Sequence, residues 1–368
     1  MAYYIGIMSG TSLDGVDVAL VDIKQANDCT VIYASTFDFP APLHQLLKQL
    51  ISDGQCLLKE FGEIDVALGQ FIGHAINELL SQYEIKHRDI VAIGNHGHTV
   101  YHSPEGDLPF SLQIGNANVI AEITQITTVA DFRQRDVAAS GQGAPLVPAF
   151  HQAVFSSPDR VIVIVNIGGI ANVTLLSPGN AVIGFDTGPG NGLMDAWVQR
   201  HLEQAYDKDG HWAGKGKSNP ALLTQMLADP YFSKAIPKST GREYFNIDWV
   251  QLQLDQYGES IEHVDVQATL LSLSARTIMD TLSLYASNAQ AVYVCGGGVH
   301  NRELMLSLQS QLNGIIISGT SVLGIDPDWV EAAAFGWLAY RTLHQKTGSL
   351  PSVTGAKHAT ILGGIYCA

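Results

Sequence analysis

The sequence predicts an α/β protein of two lobes, built by duplicating one strand-and-helix unit. Three observations carry this. Three apolar runs each end in a glycine-rich turn, in Tyr3–Gly15, Val161–Val173 and Ala291–Asn301. A β-branched run reads as a buried strand, and a glycine after it lets backbone N–H groups come close to a phosphate. The order strand, turn, strand, turn, strand, helix also occurs twice, about 160 residues apart. Finally, 368 residues exceed what one core usually serves. Spread over the whole length, the turns point to a nucleotide held from two sides.

The elements follow in order. Strands are expected at Tyr3–Met8, Val16–Ile23 and Thr30–Phe39, with Asp14-Gly15 as a hairpin signal. Helical spacing covers Leu43–Ile51 and Ile64–Tyr83, and a strand follows at Ile90–Gly94. The second half opens with strands Val161–Ile167, Ala171–Leu176 and Ala181–Phe185, then a helix at Leu193–Gln204. Asp265 is expected to cap a long helix, Val266–Tyr285. Ala291–Cys295 reads as a strand, Arg302–Leu312 as a helix, Ile315–Ser318 as a strand and Glu331–His344 as a helix. Residues 205–245, rich in Gly, Lys and Pro, read as an inserted substructure.

Composition narrows the function. Hydrophobic residues make up 46% and charged residues 15%, which favours a globular chain with ample core. A formal net charge of −15 disfavours nucleic acid and anionic membranes as partners. A nucleotide still fits, because backbone amides and Mg²⁺ offset local charge. No signal peptide is expected from the N-terminal residues, and no apolar run reaches bilayer length. Cys29, Cys56, Cys295 and Cys367 lie far apart without C-x-x-C, as expected of thiols in a reducing cytosol.

Several constellations can carry chemistry. Gly10-Thr11-Ser12-Leu13-Asp14-Gly15 offers hydroxyls and amides to phosphate oxygens, and Asp14 can reach Mg²⁺ through water. It is neither a Walker A loop nor G-x-G-x-x-G; the plain alternative is a hairpin turn. Gly168-Gly169, with Asn166 and Asn172, is the matching turn of the second half. Phe185-Asp186-Thr187-Gly188-Pro189-Gly190-Asn191 delivers a carboxylate to a strand's C-terminal end, where α/β sheets place ligands. Asp186 is then a general base or only a turn cap. Asp195 reads as a helix-dipole partner. Gly296-Gly297-Gly298 with Asn301 is a further nucleotide contact or a flexible turn. His96, His98 and His102 lack the spacing of a recognisable metal site and suit substrate hydrogen bonding. Arg133 and Arg135 suit a substrate carboxylate or surface ion pairs. Glu331 is either a first-turn glutamate or a substrate ligand.

Met8-Ser9-Gly10-Thr11-Ser12-Leu13-Asp14-Gly15-Val16-Asp17 resembles the N-terminal signature of the anhydro-N-acetylmuramic acid kinases. The Asp186 loop, Ser140–Leu146, Gly241–Phe245 and Gly296–Asn301 are similar to that family's segments in the same order, over essentially the whole chain. The resemblance implies a two-lobed actin-like ATPase fold, a duplicated ribonuclease H-like βββαβαβα unit with a nucleotide cleft between the lobes. It implies an N-terminal lobe of 1–133 plus about 348–368 and a C-terminal lobe of 134–347. It also implies a cytoplasmic, ATP- and Mg²⁺-dependent homodimer acting on 1,6-anhydro-N-acetylmuramic acid in cell-wall recycling. The anhydro bridge leaves no free 6-hydroxyl. Asp186 would therefore activate a water that attacks the anomeric carbon, and the departing 6-oxygen would take the γ-phosphoryl group. ATP would contact Gly10–Asp17, Asn166, Gly168, Gly169, Gly188, Gly190, Gly296–Gly298 and Asn301. The sugar would meet His96, His98, Glu331 and Arg135, the last taking the lactyl carboxylate. The family commonly has Gln where His98 stands, and sugar kinases usually carry the Mg²⁺ aspartate nearer Met8 and Ser9. A conventional sugar kinase, or a non-enzymatic actin-like ATPase, remains the alternative.

Overall fold

β1 (Tyr3–Met8), β2 (Gly15–Gln25) and β3 (Asp28–Asp38) form an antiparallel meander that begins the chain. The computed structural model describes residues 2–10, 13, 15–312 and 314–368. α1 (Ala41–Asp53) and α2 (Leu58–Gln82) follow, and then β4 (Ile90–Asn95) returns parallel to β1. β5 (His98–Ser103) and β6 (Phe110–Ile114) make a separate hairpin. α3 (Ala117–Thr124) leads into β7 (Thr128–Ala130), which is parallel to β4. α4 (Phe132–Ala138) and α5 (Pro148–Phe155) complete this stretch.

The second unit repeats the plan. β8 (Ile162–Ile167), β9 (Ile170–Leu176) and β10 (Ile183–Pro189) form the meander. α6 (Gly192–Leu202), α7 (Pro220–Leu227), α8 (Ile247–Tyr257) and α9 (His263–Tyr285) precede β11 (Ala291–Cys295). α10 (Arg302–Gln311) and β12 (Ile316–Gly319) follow, with β11 parallel to both β8 and β12. α11 (Val330–Leu343), α12 (Pro351–Thr354) and β13 (Gly364–Tyr366) close the chain. The sheet orders are β13-β7-β4-β1-β2-β3 and β10-β9-β8-β11-β12. Without the edge strand β13 these are one order, reading third, second, first, fourth, fifth within each unit. The duplication expected from the sequence is therefore present strand for strand.

Each unit has its own core. Ile5, Ile7, Leu20, Leu68 and Ile72 are fully buried in one; Val165, Leu222, Val250 and Leu304 are fully buried in the other. These are the strand and helix positions whose spacing is legible in the sequence. α9 starts earlier than expected: Glu262 is its N-cap residue. Asp265 lies in the first turn, where its carboxylate accepts the Lys217 N–H at 2.7 Å.

The units are Met1–Phe155 with Trp329–Ala368, and Ser156–Asp328. The sequence places the boundaries at 133/134 and 347/348, and the difference has a cause in packing. α11 lies on β1 and β4 so closely that a Cβ on Gly6 would stand 1.7 Å from the Ala332 carbonyl oxygen. A Cβ on Gly94 would stand 1.9 Å from that of Phe335. Trp337 on α11 donates its indole N–H to Ala26 O at 2.7 Å and packs edge-on against Phe150 of α5, with ring centroids 6.0 Å apart. Residues 134–155 and 329–347 thus belong to the first unit's core. Among the described residues no helix is long and apolar enough to cross a membrane. No disulfide joins the four cysteines; Cys29 and Cys295 are buried, Cys56 and Cys367 exposed.

Candidate active site

In the second unit the site is built on β10, which runs on through Asp186 to Pro189 instead of ending at Phe185 as the sequence suggests. Asp186 pairs with Asn172 of β9, and the next pair is Gly188 with Ala171, so Thr187 is an extra residue. A bulge of this kind bends a strand and re-aims its side chains. The Thr187 hydroxyl fixes it by donating to Ala171 O at 3.2 Å. Gly188 sits at φ +146°, and a Cβ there would meet the Phe232 ring at 2.7 Å. The loop then folds onto the Gly168-Gly169 turn. Gly190 N–H donates to Gly169 O at 2.9 Å and Asn191 N–H to Gly168 O at 2.8 Å. The Ser274 hydroxyl holds Gly190 O at 2.7 Å. Gly168 N–H donates to Ile170 O at 3.1 Å, so this amide serves the turn itself.

Asp186 is 7% exposed. Its N–H donates to Lys238 O and its Oδ2 accepts Thr240 N–H, both at 3.0 Å. The Tyr231 hydroxyl donates to Asp186 O at 2.7 Å. A segment read from sequence only as an insert therefore grips the candidate base. Lys238 is buried, and its ammonium donates to Tyr231 O and Phe232 O, each at 3.1 Å. Burial lowers the Lys238 pKa, aided by Lys234 and opposed by Asp186. Burial first, and then Asp186, raises that of Tyr231.

Asn166 and the triple glycine also meet. A Cβ on Gly296, at φ +75°, would lie 2.4 Å from Asn166 Oδ1, and one on Gly298 2.3 Å from Ile167. Gly297 is exposed, with open space where a Cβ would stand. Asn166 Oδ1 is buried without a hydrogen bond, an acceptor left over at the end of β8. Asn301 is committed elsewhere: its Oδ1 caps α10 by accepting Leu304 N–H at 3.1 Å. Asp195 lies in the first turn of α6, as its dipole role requires.

In the first unit, Thr11, Ser12 and Asp14 lie outside the described residues. Leu13 has φ +63° and is buried, and its N–H donates to Gly10 O at 3.3 Å. A Cβ on Gly15 would lie 2.3 Å from Phe37 O. The Val16 side chain belongs to the core, and Asp17 Oδ1 accepts the Thr36 hydroxyl at 2.7 Å. Ser9 joins this hairpin to β5. Its hydroxyl donates to Gly15 O at 3.0 Å, so His98 Nδ1, 2.9 Å away, carries the proton of that contact.

His96 follows β4 directly, with both ring nitrogens engaged. Nδ1 donates to Gly97 O at 2.9 Å, and Nε2 accepts Arg133 Nε–H at 2.9 Å. Burial, then the Arg133 charge, holds its pKa well below the usual imidazole value, so it is neutral. His102 Nδ1 meets Ser111 Oγ at 2.9 Å, and burial lowers its pKa to about 4. The three histidines therefore face different partners. Among the described residues no group of three or more His, Cys, Asp or Glu side chains could hold a metal ion.

Arg133 also donates to Gly143 O at 2.9 Å, whereas Arg135 is exposed, and the two point differently from one short helix. Glu331 is half-buried in the first turn of α11. It shares a face with Phe335, four residues on, whose ring lies 4.6 Å from that of His96. Beside His96 is a polar cavity of about 160 Å³ lined by Asp65, Asn95, Gln113, Asn116, Asp131 and Tyr366. Its walls are the carboxyl ends of the parallel strands β4 and β7. Neither Asp131 nor Tyr366 is marked by any motif; the Tyr366 hydroxyl donates to Asp131 Oδ2.

The paired strand order and the glycine turns define a duplicated α/β protein with a turn of this kind in each unit. A family model described as anhydro-N-acetylmuramic acid kinase matches residues 2–368. A protein of that name from Pasteurella multocida (strain Pm70) is 48% identical over 99% of this chain and 96% of its own. One from Shewanella denitrificans is 49% identical, over 100% and 98%. Among solved structures, the activator of the 2-hydroxyisocaproyl-CoA dehydratase from Clostridium difficile with bound ADPNP is similar at TM-score 0.46. It shares 12% identity, over 92% of this chain and 94% of that one. The chain belongs to the anhydro-N-acetylmuramic acid kinase family, and it is an enzyme of the kinase class.

Proposed function

We propose that this kinase opens the 1,6-anhydro ring of 1,6-anhydro-N-acetylmuramic acid with water and phosphorylates the 6-oxygen from ATP. The products are N-acetylmuramic acid 6-phosphate and ADP. The observation that carries the chemistry is the grip on Asp186, held at its N–H, carbonyl and carboxylate beside the bulge of β10. A carboxylate so fixed acts as a general base. Asp186 takes a proton from water, the water oxygen bonds to the anomeric carbon, and the bond from that carbon to the 6-oxygen breaks. The 6-oxygen takes the γ-phosphoryl group, and ADP leaves. Positioning supplies most of the rate in such transfers.

In the second unit, Gly168, Gly169, Gly188, Gly190, Asn166 and the Gly296–Gly298 turn serve ATP in this reading. In the first unit the Gly10–Asp17 hairpin does so. Asn301 acts by holding α10 in place. Mg²⁺ prefers phosphate oxygens and few carboxylates. Asp14 would hold it through water, and the ion would neutralise phosphate charge. Arg135, exposed and two residues beyond the engaged Arg133, takes the lactyl carboxylate; His96, His98 and Glu331 line the sugar. A cytoplasmic homodimer is the assembly this reading expects.

Turnover in ¹⁸O-labelled water tests the reaction. Label at the anomeric hydroxyl of a 6-phosphorylated product is the expected result; an unlabelled product would overturn water attack at that carbon. Arg135→Ala is expected to raise the KM for the sugar about 10- to 100-fold, the value of one charge-assisted pair. The KM for ATP should stay within twofold. Steady-state kinetics with each substrate varied reads both, and an unchanged sugar KM would remove Arg135 from the site.

A further inference from the structure

The segment from Asp229 to Thr240 closes on Asp186 like a strap, and Lys238 is its buckle. Asp229 anchors one end, accepting the Tyr231 N–H and Trp249 indole N–H at 2.9 Å and the Tyr244 hydroxyl at 2.8 Å. The other end holds Asp186 through Lys238 O and Thr240 N–H. The Lys238 ammonium joins the two ends by donating to Tyr231 O and Phe232 O, and it lies 4.6 Å from the centre of the Tyr231 ring. Lys238 is only 8% exposed, and no ion pair joins it to a carboxylate among the described residues. Burying an ammonium this way is costly, and an apolar chain of equal length would fill the volume without that cost. Two carbonyls need only a donor, which a neutral amide supplies. The charge calls for a use, and the anion held by the same strap is Asp186, whose N–H donates to Lys238 O and whose carboxylate accepts Thr240 N–H, both at 3.0 Å.

We propose that Lys238 is a positioning residue for Asp186: its buried positive charge, fixed by the strap, keeps the carboxylate ionised and oriented for proton abstraction. This rests on the reading of Asp186 as the base. The strap also carries Tyr231, whose hydroxyl donates to Asp186 O at 2.7 Å, and Lys234, whose ammonium lies 5.7 Å from the centre of the Tyr231 ring, while β9 opposes Asp186 with the uncharged Asn172.

The test compares Lys238→Gln, which keeps a donor without the charge, with Lys238→Arg and Lys238→Met, all as full-length enzyme. Sugar-dependent kcat is measured against pH, and ATP-analogue affinity by calorimetry. The expected result for Lys238→Gln is a kcat lower by about 10-fold or more, with the acid limb of the profile moved to higher pH. The sign follows because loss of a cation makes the carboxylate easier to protonate. ATP affinity should hold within twofold, and Lys238→Arg should return the limb towards wild type. A folded Lys238→Gln enzyme with wild-type kcat and acid limb overturns the proposal, whether or not Lys238→Met folds. Asp186→Asn, run alongside, separates the two readings: substantial turnover in that variant removes the base itself, and inactivity leaves the Lys238 result to be judged alone.

Discussion

Asp186→Asn is expected to cut sugar-dependent ADP release by about 10²- to 10⁴-fold, the range general-base catalysis supplies, while ATP binding stays within twofold. The substitution is nearly isosteric. The amide oxygen can still accept Thr240 N–H, and the backbone bonds to Lys238 O and the Tyr231 hydroxyl do not involve the side chain. The bulge at Thr187 and the clamp on Gly168-Gly169 should survive too. What is lost is a group able to take a proton from water. A coupled ADP assay reads the rate, and calorimetry with a non-hydrolysable ATP analogue reads the affinity. Turnover near wild type would assign the base elsewhere.

Gly190→Ala should lower kcat about 100-fold by displacing that same loop, the cost expected of a misplacement near 1 Å. A Cβ at Gly190 would lie 2.3 Å from Gly168 O and 3.2 Å from the Ile170 carbonyl carbon. These are backbone atoms, so relief requires moving one turn away from the other. That movement strains the bonds from Gly190 N–H to Gly169 O and from the Ser274 hydroxyl to Gly190 O. A stability loss of about 1–3 kcal/mol, typical of overpacking, should accompany it. Gly62→Ala is the matched control. It lies in α2 with no atom within 4 Å of the added Cβ, and alanine there should raise stability by about 0.5–1 kcal/mol. Thermal unfolding and kcat of the two variants decide the matter; a Gly190→Ala enzyme as active as the control would show that the loop tolerates the shift.

The features legible in the sequence are those that local chemistry dictates. β-Branched runs such as Ile162–Ile167 are strands because they are buried on both faces, and their glycine turns mark where they end. Asp186 was visible because a strand, a carboxylate and three small or cyclic residues stand in line. By residue type alone Arg133 and Arg135 are not separable, and only the resemblance prefers Arg135; two residues apart on a short helix, they differ in direction, and the packed partners reveal that Arg133 is the one that reaches His96. Lys238 and Tyr231 were hidden because the strap has no period to read; hydrogen bonds from distant residues give it shape. The unit boundary was misplaced for a similar reason. The apolar positions of α11 announce a buried helix but do not name the sheet it covers.

That helix also bears on synthesis. The sheet of β1 and β4 emerges from the ribosome with bare glycines on one face, and the chain that covers them begins only at Trp329. The second unit, continuous from Ser156 to Asp328, has all its own partners by then. The usual vectorial order, in which the earlier domain is finished first, is thus inverted. The first-made part must wait with an exposed apolar surface while residues 156–328 are translated. A nascent chain stalled before residue 329 should therefore be a client for chaperones through its N-terminal unit.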